Sequence, residues 1–197
     1  MTRPIILASK SSARRALLGS AGVPHEAESS GVNEDEIKAR LADAPISEVA
    51  MALAEAKAIA VSRRRPDALV IGADQILELD GRAFDKPMDM ADAKDRIELI
   101  SGKTHFLRTA VAVAENARIV WRTESAPALT ARNLSDIEID RYLADVGEGI
   151  LESVGAYQLE GPGARLFSAI DGAYTDILGL PLQPLFEFLR THADLPY

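Results

Sequence analysis

The chain has 197 residues, 22 of them Lys or Arg and 30 Asp or Glu, so its formal charge is −8. That length suffices for a domain with a sizeable core, and a content of 47% hydrophobic and 26% charged residues excludes a disordered or fibrous protein. The absence of cysteine excludes disulfides, thiolate metal sites and cysteine nucleophiles, and it agrees with a cytoplasmic location.

The first predicted elements are a buried strand followed by a helix. Pro4–Ser9 is a continuous apolar run of strand length, and Ser11 and Ser12 after it suit helix N-caps. We expect the helix to stop at Gly22. An Ala-rich segment from Ser47 to about Arg64 predicts a second, longer helix.

The middle of the chain predicts another buried strand and a small hairpin. Ala68–Ala73 is apolar, and the strand is expected to end at the acidic residue Asp74. Ile76–Leu79 and Arg82–Phe84 flank Asp80-Gly81, the favoured two-residue hairpin turn.

The second half of the chain alternates further helices and strands. The predicted elements are a helix over Asp89–Ile100, a hairpin of Thr104–Val113 and Ile119–Thr130, a capped helix from Ser135 to about Val146, a strand over Leu166–Ile170 and a helix over Leu182–Thr191. This alternation, with one long antiparallel hairpin, predicts an α/β fold with a mixed sheet. Because we find no repeat or linker, we expect residues 1–197 to form a single domain.

Two familiar motif classes are excluded. Ser101-Gly102-Lys103-Thr104 resembles the end of a phosphate-binding P-loop, but Ile97 stands where that loop requires glycine. The three histidines lie far apart in the sequence, so no local zinc motif is present. No uncharged stretch exceeds about ten residues, half of what a membrane span needs, and the apolar run before Lys10 is too short for a signal peptide.

Polar residues at the ends of the apolar elements are the remaining candidates for chemistry. Ser9, Ser11, Ser12 and Arg14 lie where a strand meets a helix, a place that suits either an anion or simple helix capping. Asp74, beyond the end of a strand, suits either a catalytic acid or a turn cap.

Two lysines are weaker candidates. Lys57 lies on the Ala-rich helix, where a lysine is usually solvated, and Lys86 precedes Pro87 in a segment that suits a simple turn equally well. From the residues alone, neither one identifies a site.

Several short motifs follow one another along nearly the whole chain. They are Leu7-Ala8-Ser9-x-Ser11-x-x-Arg14-x-x-Leu17-Leu18, Glu34, Ala54-x-x-Lys57-Ala58, Gly72-Ala73-Asp74-Gln75, Lys86-Pro87, Ser101-Gly102-x-x-His105, Gly155-Ala156-Tyr157, Glu160-Gly161 and Gly179-Leu180-Pro181. Their ordered set resembles the Maf family, the septum-formation-inhibitor-like nucleoside triphosphate pyrophosphatases.

The resemblance implies a fold, an assembly and roles for individual residues. The fold would be that of inosine triphosphate pyrophosphatases, an elongated mixed sheet flanked by helices with a cleft between two lobes, and family members are often homodimers. Asp74 corresponds to the general base, and Glu34 and Asp74 to the metal ligands. The substrate-binding positions correspond to Ser9, Ala13, Arg14, Lys57, Gln75, Lys86 and Glu160, of which Arg14, Lys57 and Lys86 would also assist catalysis.

The implied reaction makes chemical sense of this mixture of residues. Cleavage between the α- and β-phosphates needs an in-line water, a divalent cation and positive charge on the leaving pyrophosphate. Oxygen-only ligands favour Mg²⁺, with Mn²⁺ as the alternative ion. We expect the partner to be a small nucleoside triphosphate rather than a nucleic acid, which would need an extended basic surface, or a membrane.

Three positions bear on the favoured base. Members that prefer dTTP and UTP typically carry Arg, Thr and Gln where this chain has Ala13, Gln75 and Glu160. Gln75 and Glu160 resemble the branch that prefers 7-methyl-GTP, although that branch tends to have Trp at the position of Ala13. Since a carboxylate can accept from the N1–H and amino group of guanine, we expect a purine preference.

Other functions stay open from the sequence. The same site could hydrolyse dTTP or UTP, or it could bind a nucleotide without turnover in a regulator of cell division. A protein-interaction domain is the third alternative.

Overall fold

A computed structural model describes residues 3–193 of the protein. The α-helices are α1 (Ser12–Ser20), α2 (Glu34–Arg40), α3 (Ile46–Ser62), α4 (Met90–Ile100), α5 (Asp136–Val146), α6 (Tyr174–Ile177) and α7 (Leu182–His192). The strands are β1 (Ile5–Leu7), β2 (Glu26–Ala27), β3 (Leu69–Leu79), β4 (Arg82–Phe84), β5 (Thr104–Glu115), β6 (Arg118–Ser125), β7 (Ala128–Ala131) and β8 (Phe167–Asp171). Short 3-10 helices cover Gly147–Glu152 and Pro162–Leu166.

The strands form one open, mixed sheet in the order β2-β1-β3-β5-β7-β8, with β4 paired to β3 and β6 paired to β5. β1 runs parallel to both β2 and β3. The pairs β3–β4, β5–β6, β5–β7 and β7–β8 are antiparallel. The predicted α/β fold with a mixed sheet is therefore confirmed.

The described residues group into two compact units. The first comprises those up to Gln75, Arg108–Ser125 and those from Ala173 onward, and the second comprises Ile76–Leu107 and Ala126–Gly172. The single domain and the cleft between two lobes stay predictions. Among residues 3–193, no helix is both long and apolar enough to cross a membrane.

The first unit is a small sheet with helices on both faces. Because side chains alternate along a strand, Ile5, Leu7, Leu69 and Ile71 share one face, where they belong to a buried cluster that also includes residues of α1 and α7. The opposite face packs Ile6, Ala8 and Val70 with Val61 of α3. Even-numbered residues of β3 therefore point towards α3, and Asp74 is one of them.

One correction concerns β3. Two segments predicted as separate strands, Ala68–Ala73 and Ile76–Leu79, form one continuous strand, so the expectation that Asp74 follows a strand was wrong. Its neighbour β1 ends opposite Ile71, and Asp74 lies just beyond that last pair, inside β3. The strand continues because Leu77, Glu78 and Leu79 pair with β4.

A second correction concerns the predicted strand Ile119–Thr130. It is two strands, β6 and β7, separated at Ala126-Pro127. Pro127 has no N–H to donate to a ladder, whereas its carbonyl accepts from Leu107 N at 3.0 Å. The chain therefore breaks there before β7 pairs with the beginning of β5.

The predictions that rest on local capping are confirmed. Ser11 is the N-cap of α1, and its Oγ accepts from Arg14 N. Ser135 and Glu138 form the full capping box of α5. The helix α2 was not predicted.

Candidate active site

Lys57, on α3, lies between two carboxylates. Its Nζ is 2.5 Å from Asp74 Oδ1 and 2.9 Å from Glu34 Oε1. Lys57 is only 8% exposed and Asp74 only 7%. The alternative of an ordinary solvated lysine is therefore wrong, because the inward face of α3 places this ammonium against β3.

Gly72 permits that close packing. A Cβ at Gly72 would collide with the carbonyl oxygen of Ala54 and the backbone nitrogen of Ala58, both on α3. Asp74 follows two residues later on the same face of the strand. The missing side chain thus sets the helix–strand spacing across which Lys57 reaches Asp74.

Glu34 is the first residue of α2. This helix has an acidic first turn, which suits the positive end of the helix dipole, and it is anchored by buried Ile37. The Glu34 side chain is 42% exposed. The cluster therefore has one shielded carboxylate and one that is open to solvent.

Arg14 connects α1 to the backbone next to Asp74. Its Nη1 donates to the carbonyl of Ala73 and its Nε to the carbonyl of Gly179, each at 2.9 Å. Burial lowers the pKa of Arg14, while the charges of Asp74 and Glu34 oppose that shift. A guanidinium has five N–H donors, so these two bonds leave donors for a ligand.

Ser9 and Ser11 take part in local backbone structure. Ser9 Oγ accepts from Ser11 N at 3.2 Å, and Ser11 Oγ accepts from Arg14 N at 3.3 Å. Both oxygens thus serve the turn into α1, as the capping interpretation expects. The Ser9 hydroxyl can still donate, and its role toward phosphate stays a prediction.

Gln75 bonds to Thr109, a residue of the first unit that was not predicted from the sequence. Its Nε2 donates to Thr109 Oγ1 at 2.7 Å and to the carbonyls of Asp176 and Ile177 at 3.1 and 3.2 Å. Thr109 is buried on β5 and itself donates to the Asp176 carbonyl. No local signal could reveal this contact, because 34 residues separate Gln75 from Thr109.

The remaining predicted site residues differ in their surroundings. Ala13 is half-buried on α1. In the second unit, Lys86 is exposed and its Nζ donates to Glu152 Oε2 at 2.8 Å. Glu160 is exposed and lies between Gln158 and Gly161, whose backbone closes a turn.

Residues 4–192 match the Maf-like protein family. The chain belongs to this family. A curated relative from Hyphomonas neptunium, named nucleoside triphosphate pyrophosphatase, is 46% identical over all of both chains. Another of that name, from Caulobacter vibrioides, is 48% identical over 98% of this chain and 97% of its own. A 7-methyl-GTP pyrophosphatase from Rhizobium meliloti is 48% identical over 94% of each chain.

For this Maf-like chain, the structure connects four of the predicted site residues. Glu34, Lys57 and Asp74 meet directly, and Arg14 holds the residue that precedes Asp74. Gln75 and Ser9 bond to other groups of the same unit. The catalytic and binding roles of all nine residues stay predictions.

Proposed function

We propose that this protein hydrolyses nucleoside triphosphates between the α- and β-phosphates and releases a nucleoside monophosphate and pyrophosphate. The observation that carries the proposal is the Glu34–Lys57–Asp74 cluster in a chain of the Maf-like family. The names of its relatives support the same reaction, a hydrolysis of an acid anhydride.

Asp74 is assigned the role of general base. Its Oδ1 accepts from Lys57, which fixes the carboxylate and leaves Oδ2 to take a proton from water. The water oxygen then bonds to the α-phosphorus. The bond from that phosphorus to the bridging oxygen breaks, and pyrophosphate leaves with the electron pair.

The donor set of the cluster fits a hard divalent cation. Carboxylate oxygens of Glu34 and Asp74 both contact Lys57 Nζ, so they lie close together, and Mg²⁺ is commonly held by one or two carboxylates plus substrate phosphates. Among the residues that the structure describes, no group of three or more acidic or His side chains forms a cage that binds metal by itself. Bound Mg²⁺ would neutralise phosphate charge and increase the electrophilicity of phosphorus.

The cationic side chains are assigned to the phosphates. Lys57 Nζ lies beside Asp74, and the two carbonyl bonds described for Arg14 occupy only two of the five N–H donors of a guanidinium. Ser9 and Lys86 are added by the resemblance to the family. Together these groups would offset the charge that develops on the leaving pyrophosphate.

We propose a purine base as the preferred one. Gln75 uses Nε2 within the protein, so Oε1 is the atom through which it would meet a nucleotide. The exposed carboxylate of Glu160 can accept from a guanine edge, and Ala13 has no aromatic ring that would stack on a base. The 7-methyl-GTP pyrophosphatases among the relatives support this assignment.

The proposed assembly is a homodimer, and the proposed location is the cytoplasm.

The experiment compares pyrophosphate release by the wild type, Asp74→Asn and Asp80→Asn in the presence of Mg²⁺. The panel of substrates contains GTP, 7-methyl-GTP, ATP, dTTP and UTP. Asp74→Asn should lose about 10²–10⁴-fold in kcat, whereas Asp80→Asn makes the same chemical change at an exposed hairpin turn and should keep full activity.

Each result bears on one part of the proposal. Retained activity in Asp74→Asn would refute its role as the base. Faster turnover of dTTP or UTP than of purine triphosphates would refute the purine preference. Saturable nucleotide binding without any product would favour a binding regulator instead.

A further inference from the structure

Arg96, on α4, is a buried cation that no sequence motif singled out. It is 7% exposed, and its Nη1 donates to the main-chain carbonyls of Asp85 at 2.9 Å and Val154 at 2.7 Å. Its Cζ lies 4.5 Å from the centre of the Phe84 ring, within range of a cation–π contact. One guanidinium therefore connects α4 both to the segment of Phe84 and Asp85 and to the segment of Val154, all within the second unit.

The two carbonyls flank an ion pair. Asp85 directly precedes Lys86, and Val154 lies two residues after Glu152. Lys86 and Glu152 contact each other at 2.8 Å. Arg96 thus fixes the main chain beside both Lys86 and Glu152. Its hydrogen bonds go to backbone carbonyls and do not involve the side chains of this pair.

The choice of arginine here requires an explanation, because burying a guanidinium is unfavourable. Burial lowers the pKa of Arg96, while Asp92 and Asp85 oppose that shift. An apolar side chain would fill the same space without that penalty. It could not, however, hold two carbonyls from separate segments, which a planar guanidinium does well.

Further bonds stabilise the segment after Glu152. Ser153 Oγ donates to the carbonyl of Tyr157 at 2.6 Å, and Tyr142 Oη donates to the carbonyl of Ala156 at 3.1 Å. Val154 lies in the loop that these two hydrogen bonds stabilise. Arg96 connects the carbonyl of Val154 to that of Asp85, the residue before Lys86.

We propose that Arg96 is a positioning residue for Lys86, holding the backbone on both sides of the Lys86–Glu152 pair so that the lysine is presented to the phosphates of a nucleoside triphosphate. The inference rests on the proposed function, in which Lys86 contacts those phosphates. Arg96 itself touches no substrate.

The test is a double-mutant cycle on pyrophosphate release from GTP with Mg²⁺. Arg96→Met keeps the apolar stem and removes both carbonyl bonds, and we expect kcat/KM to fall about 10- to 100-fold, the range seen when a group that orients a site residue is removed. In a Lys86→Ala background the same substitution should change kcat/KM less than about twofold, because the residue that it positions is gone. Equal losses in both backgrounds would overturn the proposal.

Two variants separate positioning from general stability. Arg132→Met removes another arginine that donates to a main-chain carbonyl, that of Arg165, and it should leave kcat/KM unchanged. Arg96→Lys keeps the charge, but its Nζ falls one bond short of the position of Nη1, which donates to both carbonyls. Its kcat/KM should therefore fall between those of wild type and Arg96→Met. If Arg96→Met fails to fold, the cycle with Arg96→Lys decides the question.

A second readout needs no substrate. The hydrogen bond and charge of Lys86 lower the pKa of Glu152. A ¹³C NMR titration of the Glu152 carboxylate should show this pKa return towards its ordinary value in Arg96→Met, less so in Arg96→Lys, and not at all in Arg132→Met. An unchanged pKa in Arg96→Met would refute the positioning role, whereas a wild type that releases no pyrophosphate would refute only the proposed function.

Discussion

Lys57 is held in place by opposite charges on two sides. Asp74 is shielded from water, so the ammonium of Lys57 is the group that compensates its charge, and Glu34 completes the cluster from α2. Removing one member of a buried ion pair leaves the other unpaired, which is far costlier than losing an exposed pair.

We therefore expect Lys57→Met to destabilise the protein by about 3 kcal/mol. Lys94→Met is the matched control, because Lys94 pairs with Asp140 at the surface, and its loss should destabilise the protein far less than that of Lys57. Urea denaturation measures both.

Mg²⁺ provides a second comparison for the same variants. A cation that binds the two freed carboxylates should raise the melting temperature of Lys57→Met more than that of wild type. An equal Mg²⁺ response in both proteins would contradict the assignment of Glu34 and Asp74 as metal ligands.

The identity of these residues could be predicted from the sequence, but their contacts could not. Asp74 and Lys57 were singled out by the resemblance, whereas the helix alone suggested a solvated lysine. Residues such as Thr109 and Arg96 were missed because their partners are distant in sequence or are backbone carbonyls. No periodicity or spacing records such a contact.

The strand β3 and the helix α3 form the scaffold of the cluster. An aspartate inside a buried strand is tolerated because α3 supplies its counter-charge, and α3 is close enough because residue 72 is glycine. The strand was predicted to end at Asp74 because the apolar run ends there. The compensating contact crosses from one element to another.

Gly72→Ala should separate α3 from β3. Because the new methyl group would meet helix backbone rather than a flexible side chain, we expect a loss of about 3 kcal/mol or more, at the upper end of overpacking effects. Gly19→Ala in α1 is the control, since nothing lies near its Cβ, and it should stabilise the protein by about 0.5–1 kcal/mol.

Activity should follow the same order. Gly72→Ala moves Lys57 relative to Asp74, so its kcat should fall, while Gly19→Ala should match wild type. A Gly72→Ala protein with wild-type stability and activity would contradict the helix–strand spacing described for α3.

Elements with local signals were predicted well. The capping box of α5 and the Asp80-Gly81 hairpin depend on neighbouring residues, and both are present. Two signals were overlooked, the proline at position 127 that divides β6 from β7 and the acidic first turn that begins α2. These misses were avoidable, unlike the continuous course of β3.

At the scale of the whole molecule, the charge of −8 is compatible with a polyanionic substrate. Arg14 and Lys57 balance Glu34 and Asp74 within one cluster, so the region proposed to bind the triphosphate is locally neutral. An extended nucleic acid would instead need a basic surface.

The global stability of the protein should depend on pH through His105. This side chain is fully buried, its Nε2 lies 2.7 Å from Tyr157 Oη, and burial lowers its pKa to about 4. Burial raises the pKa of Tyr157, so the phenol stays neutral. Below pH 6.5 the unfolded chain binds a proton that the native state refuses until about pH 4, so stability falls as the pH falls through this window.

Between pH 7 and pH 5 this effect amounts to about 2 kcal/mol. His105→Gln removes it, so the variant should lose that much less stability than wild type over the same range, measured by urea denaturation at each pH. An identical pH dependence in the two proteins would assign the effect to other groups.

The most direct test of the proposed reaction is the identity of its products. Purified protein is incubated with Mg²⁺ and GTP, and the nucleotide and phosphate products are resolved by ³¹P NMR. We predict nucleoside monophosphate and pyrophosphate in equal amounts, with both formed about 10²–10⁴-fold more slowly by Asp74→Asn. Formation of nucleoside diphosphate and inorganic phosphate, or no consumption of GTP or of any other triphosphate in the panel, would contradict the account.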